Sequence, residues 1–226
     1  MEKAVVLVSG GLDSCVTVAI ANQQYACCFL HINYGQRTER RELQAFHDLA
    51  EYYNVKEKLI VDISYLAAIG GSALTDNTID VPDADLSNQE IPITYVPFRN
   101  GNILSIAASW AEVLDARHLF IGAVEEDSSG YPDTRMEFLK AMENAINLGT
   151  GPEFHGSIHA PLIHMKKKDI VKKGVELEAP LHLTWSCYRN EDEACGVCVS
   201  CALRLRGFQA AGIEDPIPYK QRPKYL

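Results

Sequence analysis

The 226-residue sequence lacks any excess of positive charge: thirty acidic residues stand against twenty-one basic ones, for a net charge of −9. That balance is a poor match to a polyanion gripped through many phosphate contacts, so small molecules or proteins are the expected partners and nucleic acid is not. The start of the chain has no long apolar run. Only Ala4 to Val8 are continuously apolar before Ser9-Gly10-Gly11, too few for a signal peptide or a membrane span, and the expectation is a cytoplasmic protein with no membrane partner. Lysine and arginine are missing between Lys58 and Arg99, while Asp76, Asp80, Asp83, Asp85 and Glu90 collect there among Gly, Ser, Asn and Pro. Residues 69–92 therefore read as a long loop: a lid, an oligomer contact or a solvated excursion. Internal repeats and low-complexity tracts are absent too. With 47% hydrophobic and 23% charged residues, the composition is far from that of a disordered chain, and the length rules out a disulfide-stapled miniprotein.

What is present is an alternation of apolar runs with helical patterns. Ala4 to Val8, Ala26 to Ile32, Leu59 to Ile63 and His118 to Ala123 read as strands. Between and after them, Asp13 to Asn22, Arg37 to Tyr53, Gly101 to Ala116, Thr134 to Leu148 and Lys167 to Leu177 read as helices; Leu43, Phe46, Leu49, Ala50 and Tyr53 mark one apolar stripe. The expected fold class is therefore α/β, a doubly wound parallel sheet with helices on both faces, whose ligands sit at the carboxyl ends of the strands. Residues 1–180 are expected to form this domain and residues 181–226 a carboxyl-terminal segment packed on it.

Ser9-Gly10-Gly11-Leu12-Asp13-Ser14 lies at such a strand end and opens a helix. Backbone N–H groups and the positive helix end converge there on a position suited to an anion, phosphate being the natural guest. Glycine lets the main chain approach the ligand, and the hydroxyls of Ser9 and Ser14 can donate to its oxygens. No Gly-Lys-Ser/Thr follows, so the loop is not a Walker A sequence. Asp13, beside so much negative charge, suits a magnesium ligand or an acceptor for loop amides; a plain helix cap is the alternative.

Seven cysteines are present, and four of them, Cys187, Cys195, Cys198 and Cys201, crowd into fifteen residues with Gly196 at a tight turn. Four thiolates at that spacing fit tetrahedral zinc with no position left for water, hence a structural site that fastens a carboxyl-terminal segment poor in apolar residues. An iron–sulfur cluster or two disulfides are the alternatives. Arg189, Arg204 and Arg206 stand close enough in sequence to offset the charge of such a centre. Cys15, Cys27 and Cys28 lie in apolar stretches and are expected in the core.

The hexapeptide Ser9 to Ser14 resembles the SGGxDS loop of the PP-loop ATP pyrophosphatases. Further motifs narrow the resemblance to the 7-cyano-7-deazaguanine synthase family: Asn33-Tyr34-Gly35-Gln36-Arg37, Arg99-Asn100 with Leu104-Ser105, Asp127 to Asp133, Pro161-Leu162 leading to Lys167, and Thr184 to Tyr188 running on through Cys195 to Arg204. Thr134 departs from the pattern, since many members have cysteine there; adenylation needs no enzyme nucleophile, so a helix cap or a packing substitution is expected.

The resemblance implies cleavage of ATP, with magnesium, between its α and β phosphates, and conversion of 7-carboxy-7-deazaguanine and ammonia into the nitrile in queuosine precursor biosynthesis. It also implies a homodimer. On this reading Ser9, Gly10, Gly11, Leu12, Asp13, Ser14 and Asn33 contact ATP, and Lys167 neutralises the pyrophosphate. Arg99 and Arg135 pair with carboxylate or phosphate. Asp127 or Asp133 accepts from the pyrimidine edge of the ring, and Tyr131 stacks on its face. Each has a plainer alternative: an Asx turn for Asn33, a cap for the aspartates, packing for Tyr131, a structural ion pair for the arginines and a solvated residue for Lys167. Two other readings stand beside this one: a related PP-loop adenylating enzyme acting on another carboxylate, and a zinc-held interaction module with a vestigial nucleotide loop.

Overall fold

Strand β1, Lys3–Leu7, is an apolar run buried from Ala4 onward, as expected of a strand covered on both faces. It lies at the centre of a five-stranded parallel sheet in a computed structural model that describes residues 1–88, 90–125 and 130–226. The other strands are β2 (Ala26–Asn33), β3 (Lys58–Asp62), β4 (His118–Phe120) and β5 (Ser157–His159), in the order β3-β2-β1-β4-β5. Leu7 pairs with Leu30 of β2 on one side, and Val5 with Leu119 of β4 on the other. The chain thus winds outward from β1 to β3 and then returns to the far side of β1. That reversal opens a crevice at the carboxyl ends of β1 and β4, where open α/β sheets hold ligands.

The alternation of side chains along the strands builds two cores. Val5, Leu7, Cys28, Leu30 and Leu119 face helix α4 (Arg99–Leu114), which contributes Leu104, Ala107 and Ala111, and helix α5 (Met136–Gly149), which contributes Leu139 and Ile146. Ala4, Val6, Phe29 and Phe120 face the opposite layer. There they meet Val16 of α1 (Leu12–Ala21), Phe46 and Leu49 of α2 (Glu39–Tyr52) and Ile170 of α6 (Lys167–Glu176). A five-residue helix α3, Tyr65–Ile69, follows β3. The doubly wound expectation holds, with β4 three residues shorter than the apolar run His118 to Ala123 suggested.

Besides the short α3, two elements escaped the pattern. Strand β5 is three half-buried residues at the sheet edge, too short to show a period. Helix α7, Val199–Ala211, is buried nearly all round, at Cys201, Ala202, Leu203, Arg204, Leu205, Gly207 and Phe208, so it shows no apolar stripe. It corrects the expectation of a carboxyl-terminal segment poor in apolar contacts. Phe208 is 1% exposed in the core beside Ile170 and Val171, and burial of that kind contributes about 1.5–3 kcal/mol per side chain. The segment is therefore packed into the core through α7.

Beyond Ile69, which ends α3, the described residues of the acidic 69–92 stretch form a loop, as expected, and much of it is tied down. Arg37 donates from Nε to the Ala73 carbonyl at 2.7 Å and from Nη2 to the Asp76 carbonyl at 2.7 Å. Val81 is buried among the cysteines, Ala84 donates to the Val197 carbonyl at 2.7 Å, and Arg189 pairs with Asp83 at 2.8 Å. Arg37 and Arg189 thus anchor a segment that has no basic residue of its own.

Candidate active site and metal centre

The turn after β1 is shaped by its neighbours. Gly10 sits at φ +84°, and a Cβ there would stand 2.7 Å from the Glu42 carbonyl oxygen and 2.9 Å from the Ala45 Cβ, so only glycine fits. The Gly10 carbonyl accepts from Trp185 N–H at 2.8 Å. Gly11 caps α1 with no side-chain hydrogen bond to the first-turn amides, which remain available to a ligand. Ser9 Oγ donates to Ser14 Oγ at 3.2 Å, and Ser14 Oγ to the Gly11 carbonyl at 3.0 Å. His31, 1% exposed, reaches the Val8 carbonyl through Nδ1 at 2.8 Å and so braces the end of β1. Burial pushes its pKa below the usual histidine value and keeps it neutral.

Lys167, the first residue of α6, is 6% exposed, and its Nζ donates to both carboxylate oxygens of Asp13, at 2.9 and 2.8 Å. It passes over Gly207 of α7, where a Cβ would lie 2.5 Å from Lys167 Cγ. The two charged candidates therefore meet, and the solvated reading of Lys167 is set aside.

This pair lines a cavity of about 270 Å³ at the crevice between β1 and β4. Its far wall is aromatic and charged: Tyr34, Arg99, Tyr131, Tyr188 and Glu42, above apolar residues such as Leu30 and Ile121. The Arg99 guanidinium lies 5.1 Å from the Tyr34 ring centre and 5.8 Å from that of Tyr131, and its Nη1 donates to the Tyr34 hydroxyl at 3.1 Å. Phe98 precedes it in the left-handed region at φ 54°, an uncommon conformation for a bulky residue, which aims Arg99 from the start of α4. The Tyr131 hydroxyl donates to the Thr94 carbonyl at 3.2 Å, leaving its ring on the cavity wall. Glu42 accepts from Thr38 and Gln36, and burial raises its carboxyl to about 7.

Asn33, Asp133 and Arg135 lie off this wall. Asn33 is buried at the end of β2, 3.0 Å from His31 Nε2. Asp133 is 3% exposed and its Oδ2 accepts from the Asn100 N–H at 2.9 Å, so its carboxylate caps α4, as the plainer alternative had it. Arg135 is exposed at the start of α5. Asp127 lies outside the described residues. Thr134 is on the wall, with its hydroxyl donating to the Tyr131 carbonyl at 2.8 Å. Tyr34, Tyr188 and Glu42 had no role assigned from sequence. The first two sit inside quoted motifs, while Glu42 is one charge among many on an amphipathic helix.

The four clustered cysteines are all buried, with their sulfurs within 4.8 Å of one another, a set that could hold a metal ion. Cys195 and Cys201 sulfurs stand 3.9 Å apart, close to the edge of about 3.8 Å that a tetrahedron with Zn–S bonds of about 2.3 Å requires. Backbone N–H groups of Arg189, Asn190 and Cys195 point at Cys187 Sγ, each at 3.3 Å, and those of Val197 and Cys198 at Cys195 Sγ, at 3.4 and 3.3 Å. Five donors aimed at two sulfurs favour thiolates. Cys15 and Cys28 are core residues and Cys27 is partly buried.

A parallel sheet whose first strand turns through glycines onto a helix N-terminus, with a lysine–aspartate pair at the switch point, defines a PP-loop nucleotide-binding α/β protein. Residues 3–212 match the family model described as "Queuosine biosynthesis protein QueC", and the chain belongs to that family. It is 57% identical over 225 residues to a 7-cyano-7-deazaguanine synthase of Chlorobium phaeobacteroides, covering 99% of this chain and 100% of that one. Identity to the Nautilia profundicola protein of the same name is 56% over 223 residues, covering 98% and 100%. Among solved structures, a "predicted subunit of tRNA methyltransferase" from Methanocaldococcus jannaschii shares the fold, with a TM-score of 0.51 at 13% identity over 98% of this chain and 95% of that one.

Proposed function

We propose that the chain converts 7-carboxy-7-deazaguanine, ammonia and ATP into 7-cyano-7-deazaguanine, the compound that its relatives' name states. The observation that carries this reading is one cavity joining the amide-lined loop and the Asp13–Lys167 pair to the Arg99 and tyrosine wall. A phosphate chain and a flat carboxylated ring find their complements side by side.

A carboxylate oxygen leaves badly. Attack of that oxygen on the α phosphate of ATP forms an acyl-adenylate and releases pyrophosphate; ammonia then displaces AMP to give the amide. A second ATP adenylates the amide oxygen, and loss of AMP with the remaining N–H proton leaves the nitrile. The protein's share is placement and charge neutralisation. Ser9 to Ser14 and Lys167 receive the phosphates, with Asp13 positioned to share the magnesium that accompanies ATP. Arg99 takes the substrate carboxylate in a fork that lysine cannot copy, and Tyr131 stacks on the ring. Asp127 remains the candidate for the ring edge from the sequence motif alone. One adenylating site serves both steps.

The cysteine cluster is read as structural zinc, one per chain, fastening residues 181–226 to the nucleotide domain of residues 1–180. Elemental analysis should find about one zinc per chain. Iron, or no metal, overturns that part. No helix among the described residues is long and apolar enough to cross a membrane. A homodimer rests on the family resemblance, and a cytoplasmic location on the sequence reading alone.

The test is incubation of zinc-loaded protein with ATP, ammonia and 7-carboxy-7-deazaguanine, with mass spectrometry of the product. The nitrile is expected. Its absence from protein that binds ATP would overturn the assignment.

A further inference from the structure

Among the described residues the cavity wall carries two carboxylates, Asp13 and Glu42, and their surroundings differ. Asp13 is held by the Lys167 ammonium. Glu42, half-buried on α2, is held by neutral groups: Thr38 Oγ1 donates to one oxygen at 2.8 Å and Gln36 Nε2 to the other at 3.2 Å. Each hydrogen bond leaves a lone pair on the same oxygen. Its backbone carbonyl abuts Gly10, and its side chain shares the cavity wall with Ser9, Gly11 and Asp13 of the phosphate loop. The charged and titratable groups facing it are Arg99 of α4, Tyr34 beyond β2 and Glu39 of its own helix; Tyr131, Tyr188, Asp13, Lys167 and Arg204 share the cavity wall.

The reaction proposed above sheds protons from nitrogen. When ammonia attacks the acyl-adenylate, a C–N bond forms, the C–O bond to AMP breaks with its electron pair leaving on the phosphate, and the nitrogen must lose a proton. When the adenylated amide collapses to the nitrile, the C–O bond to AMP breaks again and the last N–H proton departs as the third C–N bond forms. Adenylation of the carboxylate has no such need, whereas adenylation of the amide oxygen releases the first of the two amide N–H protons. A base for it must sit in the cavity, be free of a tight cationic partner and change protonation state near neutral pH. Asp13 fails the second condition.

We infer that Glu42 is the catalytic base of the nitrogen steps, taking the proton released as ammonia becomes amide and again as the adenylated amide becomes nitrile. This rests on the reaction assigned above. A carboxyl raised to about 7 by burial, against the pull of Thr38, Gln36 and Arg99, is half ionised where such a base is most useful.

Glu42→Gln keeps the shape and both hydrogen-bonding neighbours while removing the basic site. ATP–pyrophosphate exchange with 7-carboxy-7-deazaguanine, without ammonia, reports adenylation alone; amide and nitrile formation in single turnover report the nitrogen steps. The expected result is exchange within a few-fold of the parent and nitrogen steps slowed on the order of 10²-fold, with loss of the parent's rise in rate through pH 7. Equal loss of exchange and nitrogen steps would overturn the proposal in favour of a structural role. A raised KM for the deazaguanine at unchanged kcat would overturn it in favour of ring recognition, and an unchanged rate and pH profile would also overturn it. If the parent itself shows no exchange, the failure belongs to the assigned reaction instead.

Discussion

Lys167 and Asp13, 154 residues apart in sequence, form a two-pronged ion pair at 2.9 and 2.8 Å beside the uncapped start of α1. The pair sets a cation and an anion against each other at the phosphate loop. An incoming phosphate chain competes with Asp13 for the ammonium, and magnesium competes with Lys167 for the carboxylate.

Lys167→Met should therefore do more than remove an attraction, because it leaves the Asp13 carboxylate facing the phosphates. ATP binding by calorimetry is expected to weaken roughly 10²-fold. Asp13→Asn leaves the cation in place and should weaken magnesium-free ATP binding far less than Lys167→Met does. Equal losses would show that the pair does not act through charge.

Gly207 offers a test in which the usual sign reverses. Replacing glycine by alanine inside a helix ordinarily stabilises by about 0.5–1 kcal/mol. Here the new Cβ would meet Lys167 at 2.5 Å from Cγ and 3.2 Å from its backbone carbon. Gly207→Ala is expected to destabilise by roughly 1–3 kcal/mol and to lower ATP affinity, while the metal content stays the same. Urea unfolding and metal analysis on the same preparation separate the two effects.

How far the sequence foretold this arrangement depended on how local each signal was. The glycine turn after β1 and the spacing of the four cysteines are local, and both stand where the pattern placed them. The Lys167–Asp13 contact was not legible, because it depends on α6 and α7 packing across α1. Helix α7 hid for the opposite reason: burial on all sides erases the stripe that marks a surface helix. Asp133 shows the limit most plainly. Its place in a motif suggested a ligand contact, yet the fold turns its carboxylate toward the Asn100 N–H at 2.9 Å. Glu42 looked like one more charge on an amphipathic helix until α4 and the segment after β2 closed around it.

Glu42 also makes a prediction independent of any activity. Its carboxyl is raised from 4.5 to about 7 by burial, so the folded state holds a proton that the unfolded chain gives up. The sign follows from linkage: below about 4.5 the group is protonated in both states and costs nothing, and as pH rises towards 7 stability falls. Glu42→Gln removes that loss. Its stability relative to the parent should rise by about 3 kcal/mol between acid and mildly alkaline solution, as read from denaturant midpoints at each pH. A difference that stays flat with pH would mean that the carboxyl is not perturbed.

Arg204 and Asp215 tie α7 to the carboxyl-terminal tail through an ion pair whose side chains are 2% and 1% exposed. Arg204 Nε and Nη2 donate to the two Asp215 oxygens at 2.7 and 2.9 Å, and Nη1 donates to Thr184 Oγ1 at 2.7 Å. Asp215 also accepts from the Tyr219 hydroxyl at 2.7 Å. Because both charges are out of water, removing one strands the other. Asp215→Ala should cost about 3–5 kcal/mol in urea unfolding. Replacing both charges by apolar residues, Arg204→Met with Asp215→Leu, leaves no orphaned charge in the same volume, although Thr184 and Tyr219 then lose their partners. The double variant is therefore expected to be more stable than Asp215→Ala alone and less stable than the parent. Costs for the two single changes that simply add in the double would show that the pair is not coupled.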